Sequence, residues 1–234
     1  MVDSGPCVVI TGASRGIGFA AAQRFLETGF RVVNLSRSPA PLGGVVNVAA
    51  DLCAADWTET AREPLLRAVA GATTVSIVHN SAVNVPAGIG DIAAGDLRRI
   101  LEVGVVGPSR LNQLLLGQMR PGSAIIYVGS TLSVRATRGM AAYVTVKHAI
   151  LGLMRATCQD LAGKGIHTCC VCPGFTETEM LREYGGEMLA RLAALTTQNR
   201  LIAPREIAAV LHFAVTHPVV NGGTLNADLG FLEP

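Results

Sequence analysis

The sequence predicts an α/β protein with a doubly wound, parallel, seven-stranded sheet and helices on both of its faces. Seven short runs rich in Val and Ile alternate with five helical stretches along the chain. The runs are apolar at consecutive positions, as are strands that are covered on both faces. A glycine-rich turn joins the first run to the first helix. Because such sheets bind ligands beyond the carboxyl ends of their strands, we expect a site there.

The elements follow one another in a regular strand–helix alternation, which implies right-handed crossovers. Strands are predicted at residues 7–11, 31–36, 45–49, 74–79, 124–129, 166–172 and 224–226. Helices are predicted at residues 16–27, 56–70, 96–119, 142–161 and 204–215. The helix at 96–119 contains Gly104, Gly107 and Pro108, which add backbone freedom or remove a hydrogen bond. We therefore expect a kink or a short break in it.

The composition fits one globular domain and argues against several partners. A chain of 234 residues matches one α/β domain, which can reach roughly 250 residues, so we take 1–234 as a single domain. Only 15% of the residues are charged and the net charge is +2, which argues against a nucleic-acid partner. No stretch approaches the roughly 20 apolar residues of a membrane span, and residues 1–6 lack a signal-peptide pattern. We expect no membrane association and a cytoplasmic location.

Three of the six cysteines lie close together, at Cys169, Cys170 and Cys172. Neighbours along a strand point to opposite faces, so Cys169 and Cys170 cannot share a metal ion while the strand is regular. The spacing matches no zinc pattern. We expect no metal site and treat the thiols as small buried apolar groups in a reduced compartment. A zinc-dependent protein remains an alternative that rests on this cluster alone.

The turn after the first strand is a candidate phosphate-binding loop. Glycines allow the backbone to turn tightly and to approach a pyrophosphate, and the N-terminus of the next helix offers free N–H groups. A tight turn without a ligand is the other interpretation, but the position between the first strand and the first helix favours a cofactor. The residues expected at the cofactor are Gly12, Ser14, Arg15, Gly16, Ile17 and Gly18.

The end of the second strand indicates which cofactor is preferred. NAD-binding folds usually place an acidic residue there, on the ribose hydroxyls. This chain has Ser36 and Arg37 at that point, and Arg15 lies in the glycine loop. A hydroxyl and guanidinium groups would bind a 2′-phosphate, whereas a carboxylate would repel it. We therefore predict NADP(H) in preference to NAD(H); if both arginines only face water, either cofactor would be accepted.

Three polar residues form a candidate catalytic set. Tyr143 and Lys147 are four residues apart on a predicted helix and so share one face. A nearby ammonium favours the phenolate form of a tyrosine, which suits it to acid–base work. Ser130 follows a buried strand and can donate a hydrogen bond to a carbonyl oxygen as charge develops on it.

These motifs closely resemble those of the short-chain dehydrogenase/reductase family. The glycine spacing, the Ser130–Tyr143–Lys147 order and the segments 171–180 and 221–230 all match, so the resemblance covers residues 7 to 231. Within the family, the bacterial 3-oxoacyl-acyl-carrier-protein reductases are most similar. The resemblance implies a Rossmann-like fold and an enzyme that transfers a hydride between NADP(H) and a ketone or secondary alcohol. It also implies a homodimer or homotetramer paired through the helices at 96–119 and 142–161.

The resemblance also assigns further cofactor contacts, which include Tyr143 and Lys147, with Lys147 at the ribose. Asp51 and Leu52 would lie at the adenine, although Asp51 also suits a helix cap. His79 reads as a structural residue at a strand end, and Asn80 and Ser81 would lie near the adenosine ribose. The segment expected around the nicotinamide comprises Pro173, Gly174, Phe175, Thr176 and Thr178.

Two positions depart from the family pattern. The first follows the fourth strand, where the family's Asn-Asn-Ala-Gly is replaced by residues 79–82, of which only Asn80 is retained. The family's fourth catalytic residue is an asparagine that holds a water next to the lysine, and here that position is Gly104. We expect that a second water fills the vacated space, so that Gly104→Asn would raise turnover or leave it unchanged. The competing hypothesis is a cofactor-binding sensor or scaffold that has lost turnover.

The sequence indicates less about the substrate than about the cofactor. Segments 83–85, 132–138 and 175–184 are expected to line its pocket, and residues 180–200 are expected to form a mobile helical lid. Arg135, Arg138 and Arg182 either meet an acidic substrate or face water, and the sequence alone favours water.

Overall fold

The computed structural model describes residues 4–233, whose strands form one parallel sheet of seven strands in the order β3-β2-β1-β4-β5-β6-β7. The strands are β1 Cys7–Thr11, β2 Arg31–Ser36, β3 Val45–Ala49, β4 Val75–His79, β5 Ala124–Val128, β6 His167–Pro173 and β7 Gly223–Ala227. The chain builds outward from β1 in one direction and then from β4 in the other. The predicted Rossmann-like doubly wound sheet is thus confirmed, and its order reverses between β1 and β4, where such sheets open a crevice.

Eight α-helices are described. They are α1 Gly16–Glu27, α2 Trp57–Val69, α3 Ala94–Leu101, α4 Gly107–Leu115, α5 Ala141–Asp160, α6 Glu179–Arg182, α7 Gly186–Ala194 and α8 Pro204–Thr216. Short 3₁₀ turns lie at Leu116–Gln118, Thr131–Ser133 and Pro218–Val220. Among these described helices, none is both long enough and apolar enough to cross a bilayer.

The predicted break in the long central helix is confirmed. A π-helical segment, Glu102–Val106, separates α3 from α4 and contains Gly104. Pro108 stands in the first turn of α4 and supplies no N–H to the carbonyl groups of the π-helical turn before it. The interruption matters for the site because Gly104 faces the helix that carries the candidate catalytic residues.

The core lies in two layers, one on each face of the sheet. Side chains alternate along β1, so that Val8 and Ile10 enter the layer covered by α1 and α8, and Val9 enters the layer covered by α2, α4 and α5. All five residues of β1 are buried. The sheet is therefore held rigidly from both sides, and its strand ends present fixed positions to the crevice.

The cysteines of β6 divide between the two layers, as expected. Cys169 packs in one layer, whereas Cys170 and Cys172 pack in the other with their Sγ atoms 3.8 Å apart. Burial raises the pKa of Cys169 to about 12, and a hydrogen bond donated to Cys172, together with burial, raises the pKa of Cys170. Within residues 4–233, no group of three or more metal-ligating side chains comes together.

His79, at the end of β4, belongs to a buried polar network. Its Nε2 lies 2.8 Å from Oδ1 of Asn112, whose Nδ2 donates to the Tyr127 hydroxyl at 2.8 Å. That hydroxyl lies 3.0 Å from Oγ1 of Thr157 on α5. The His79 ring is 5% exposed and stacks on Tyr127 at 4.8 Å between centroids. These contacts favour the structural role that the sequence suggested.

Burial of this histidine predicts a pH-dependent stability. Burial lowers the pKa of His79 to about 4, from an ordinary value of 6.5. Between these values the unfolded chain binds more protons than the folded one, so the free energy of unfolding falls as the pH falls. The expected contribution is about 3 kcal/mol between pH 8 and pH 4. Urea unfolding at several pH values measures it.

The matched variants are His79→Gln and His148→Gln, since His148 is exposed on α5. His79→Gln should flatten the pH dependence of unfolding by that amount, whereas His148→Gln should leave it as in the wild type. Parallel pH curves for the wild type and His79→Gln would refute this account.

Candidate active site

A cleft of about 1440 Å³ crosses the carboxyl ends of the central strands. It brings together most of the predicted site residues, which come from seven separate segments of the chain. The predicted residues that line it are Gly12, Ser14, Arg15, Gly16, Ile17, Ser36, Arg37, Asp51, Leu52, Asn80, Ser81, Ser130, Tyr143, Lys147, Pro173, Gly174, Phe175, Thr176 and Thr178. The cleft that the described residues form is large enough to hold a dinucleotide and a substrate together.

Gly18 is the one predicted cofactor residue that does not line the cleft. It is buried in α1, and a Cβ added there would collide with the carbonyl oxygen of Gly12. Its place in the glycine pattern reflects the close packing of α1 on the turn. The expectation of a cofactor contact at Gly18 is therefore replaced by a packing role.

The glycine turn is held in shape by residues outside it. Gly12 and Gly16 have φ of 73° and 56°, which side-chain-bearing residues rarely adopt. The backbone N–H of Ala13 donates to Oδ1 of Asn34 at 2.9 Å. Asn34 is buried in β2 and was not anticipated; the available signal was a polar side chain inside an apolar strand. The turn is therefore prearranged around an opening at the N-terminus of α1.

Asn80 ties β4 to the same turn. Its Nδ2 donates to the carbonyl oxygens of Thr11 and Gly12 at 3.0 and 3.1 Å. The backbone N–H groups of Asn80 and Ser81 both donate to Oγ1 of Thr11 at 2.9 Å. The amide of Asn80 thus positions the strand ends, while Ser81 stands beside it at the cleft.

The end of the cleft next to β2 and β3, called the far end below, is polar and positively charged. Arg15 and Arg37 are exposed, and within residues 4–233 neither forms an ion pair. Ser36 donates its hydroxyl to the carbonyl of Ser38. Oδ1 of Asp51 accepts from the N–H of Cys53 at 3.0 Å. The alternative role of Asp51 as a helix cap is wrong, because α2 begins at Trp57 with Asp56 before it.

The candidate catalytic residues lie at the other end of the cleft, next to β5 and α5, which is called the near end below. Tyr143 and Lys147 stand on the first two turns of α5, with Nζ of Lys147 5.4 Å from the centre of the Tyr143 ring. Lys147 is 3% exposed, and its ammonium donates to the carbonyl oxygen of Val128 at 2.8 Å. Oγ of Ser130 accepts from the N–H of Leu132 at 3.1 Å, which leaves its own proton available to a ligand.

The space beside Gly104 is not vacant, which overturns one expectation from the sequence. A Cβ added to Gly104 would collide with Cγ2 of Val146, a buried residue that directly precedes Lys147. The position of a Cβ atom on residue 104 is therefore occupied by valine. A cavity of about 10 Å³ remains among Ser81, Gly104 and Lys147, room for about one water molecule. Val146 was missed because only tertiary packing reveals this pairing.

The substrate end of the cleft is bordered by α6 and α7, within the segment predicted as a lid. Nδ2 of Asn84 donates to the hydroxyl of Tyr184 at 3.0 Å, which joins the loop after β4 to the end of α6. Arg182 does not line the cleft, since it pairs with Glu177 at 3.1 Å. Motion of this segment stays a prediction.

The fold and the cleft together define an α/β protein of the dinucleotide-binding class. The family model of short chain dehydrogenases matches residues 6–188. The 3-oxoacyl-[acyl-carrier-protein] reductase of Vibrio cholerae is 26% identical over 236 residues, which cover 97% of each chain. The meso-2,3-butanediol dehydrogenase of Serratia marcescens is 28% identical over 95% of this chain and 93% of its own. A solved short-chain dehydrogenase/reductase from Serratia marcescens has a TM-score of 0.87 at 28% identity, over 97% of both chains.

The chain belongs to the short-chain dehydrogenase family, because the family model covers more than half of it. The resemblance inferred from its motifs, including the likeness to 3-oxoacyl-acyl-carrier-protein reductases, is confirmed. The protein is therefore an oxidoreductase of this family, whose members bind nicotinamide cofactors. Among solved structures of the same fold, one has NADP bound and another is a complex with NADH.

Proposed function

We propose that the chain is an NADP(H)-dependent oxidoreductase that interconverts a ketone and a secondary alcohol, with Tyr143 as the acid–base residue. The observation that carries the proposal is the meeting of a serine hydroxyl, a tyrosine hydroxyl and a buried ammonium at one end of a dinucleotide-sized cleft. The bound nicotinamide supplies a hydride to the carbonyl carbon in reduction and accepts it in the reverse direction.

Three residues of the chain would carry out the other steps of the reaction. The hydroxyl of Ser130 donates a hydrogen bond to the substrate oxygen as negative charge develops on it. Tyr143 gives its proton to that oxygen in reduction and takes it back in oxidation. The ammonium of Lys147 stabilises the phenolate left on Tyr143, since a cation nearby favours that anion. Atoms and charge balance when the phenolate regains a proton from water.

The cleft residues fit a nicotinamide dinucleotide. Gly12 and Gly16 leave room for the close approach of a pyrophosphate, and the N-terminal N–H groups of α1 have no side-chain cap. Arg15 and Arg37 support NADP(H) over NAD(H), because unpaired guanidinium groups at this end suit a 2′-phosphate.

Replacing Arg37 with glutamine should reduce this preference. The expected loss is roughly tenfold in kcat/KM for NADPH, the effect of one partly exposed charge-assisted hydrogen bond. The values for NADH should change little, since NADH lacks the 2′-phosphate. Arg155→Gln, on an exposed position of α5 away from the cleft, is the control. Equal losses of kcat/KM with both cofactors would show that Arg37 does not bind the 2′-phosphate.

A direct assay tests the function itself. The purified protein would receive NADPH or NADH with a panel of ketones, and nicotinamide absorbance would be followed. Ketone-dependent oxidation of NADPH is the expected result. Tight NADPH binding without turnover in either direction would contradict the proposal. The homodimer or homotetramer and the cytoplasmic location stay predictions, and light scattering on the purified protein tests the first.

A further inference from the structure

The substrate end of the cleft carries two arginines that have no acidic partner among the described residues. Arg135 and Arg138 follow the turn that begins at Ser130, and both line the cleft. Within residues 4–233, neither forms an ion pair or a hydrogen bond through its side chain. Arg182 and Arg200, by contrast, are paired with Glu177 and Glu206. Two guanidinium groups without an ion pair therefore line the substrate end, in addition to those of Arg15 and Arg37 at the other end of the cleft.

Arg135 is held in a defined place. Its guanidinium carbon lies 4.7 Å from the centre of the Phe231 ring, and that ring packs on Phe175 at 4.6 Å between centroids. Stacking occupies the face of a guanidinium and leaves the N–H groups at its edge free. Both rings also line the cleft. Arg135 is therefore oriented before any ligand arrives, which reduces the entropy lost on binding.

No carboxylate on the described part of the cleft wall pairs with either arginine. The only acidic residues among those lining the described cleft are Asp51 and Glu179. Asp51 lies at the far, adenine end. Oε2 of Glu179 lies 3.6 Å from the Cβ position of Gly16, so its charge faces the glycine turn instead. The buried ammonium of Lys147 adds to the positive charge of the near end.

The helices α6 and α7 contribute apolar side chains to the cleft. Met180 and Leu181 from α6, together with Met188 and Leu192 from α7, line the cleft. Met180 and Met188 remain 37% and 39% exposed, so part of their apolar surface faces the open space. Flexible thioether side chains adapt to aliphatic ligands of different shape.

We propose that the substrate of this oxidoreductase is an oxo acid: a ketone joined through an aliphatic chain to a carboxylate or phosphate that Arg135 and Arg138 bind. The proposal rests on the function proposed above. Guanidinium groups match both oxyanions through paired N–H donors. The carbonyl would lie at Ser130 and Tyr143, the chain against α6 and α7, and the anion at the mouth of the cleft.

Matched substrates test this directly. Oxo acids with the ketone next to the terminal methyl and chains of increasing length would be compared with their methyl esters and with phosphate monoesters of the corresponding hydroxyketones. The wild type should show kcat/KM at least about tenfold higher for the anion than for its ester, the effect of one charge-assisted hydrogen bond. The carboxylate and phosphate series show which oxyanion is preferred.

Three variants locate the effect. Arg135→Gln and Arg138→Gln should each lower kcat/KM for the acid several-fold more than for the ester, mainly through KM. Arg135→Lys, which keeps the charge but loses the planar group, should fall between the wild type and Arg135→Gln. Arg182→Gln is the control, because that arginine is exposed, paired and outside the cleft. It should leave the ratio of acid to ester unchanged.

The outcomes separate this inference from the function on which it rests. Equal kcat/KM for acids and esters, with turnover still dependent on Tyr143, would overturn the oxo-acid inference and leave the oxidoreductase intact. If no ketone is reduced, calorimetric binding of acid and ester to the NADPH-loaded protein gives a second measurement. Equal affinities there would overturn the inference as well, whereas an arginine-dependent preference for the acid would support it.

Discussion

Tyr143→Phe should lower kcat by roughly 10²- to 10⁴-fold, the range that general acid–base catalysis contributes. The variant removes one hydroxyl and keeps the ring against the ammonium of Lys147. Binding of NADPH should change by no more than a few-fold, because Tyr143 is only one of the many residues expected at the cofactor. Steady-state kinetics with NADPH titration measure both quantities.

Tyr184→Phe is the matched control for that variant. Tyr184 also lines the cleft, and its hydroxyl accepts a hydrogen bond from Asn84 at 3.0 Å. Tyr184→Phe loses the same atom as Tyr143→Phe, but Tyr184 follows α6 and belongs to no part of the candidate catalytic set, so kcat should fall far less. Comparable kcat values for Tyr143→Phe and the wild type would remove Tyr143 from the mechanism.

Gly104→Asn should reduce both stability and turnover, the opposite of what the sequence suggested. Any Cβ at this position collides with the Cγ2 atom of Val146, and a β-branched side chain has little freedom to move away. Overpacking of a closed core costs about 1–3 kcal/mol. Because Val146 adjoins Lys147 on α5, the displacement should also disturb the catalytic pair. Urea unfolding and kcat measure the two effects.

The test of that explanation is a double-mutant cycle. Val146→Ala should restore much of the stability lost in Gly104→Asn, with a coupling energy of about 1 kcal/mol or more between the two sites. Gly152→Asn is the control, since a Cβ on that glycine of the same helix α5 meets no atom within 4 Å. Additive effects of the two substitutions, or a fully stable and active Gly104→Asn, would refute the steric pairing.

The sheet could be predicted because the local sequence of each strand is enough to identify it as a strand. β1, β4 and β5 are short, mostly apolar and buried throughout, and alternation with helices dictates parallel pairing. Strand and helix ends were misplaced by one or two residues in places, for example at β4, which begins at Val75. Terminal residues depend on hydrogen bonds with neighbouring segments, which a local pattern does not contain.

The break in the central helix is an example of a feature that the local sequence predicts only in part. Gly104 and Pro108 predict an interruption, but they predict neither its π-helical form nor its contact with α5, about forty residues later in the chain. The same holds for Asn34 at the glycine turn and for Asn84 with Tyr184, which are 100 residues apart. Contacts at such separations arise from topology, so these residues emerged only from the structure.

The central claim is that hydride passes between a nicotinamide and a ketone in this cleft. The most direct measurement uses NADPH carrying deuterium at both C4 positions of the nicotinamide, with the wild-type protein and a ketone that it reduces. Mass spectrometry of the alcohol should show one deuterium on the carbinol carbon, and Tyr143→Phe should form far less of this product. An alcohol without deuterium, or oxidation of NADPH with no alcohol formed, would contradict the account.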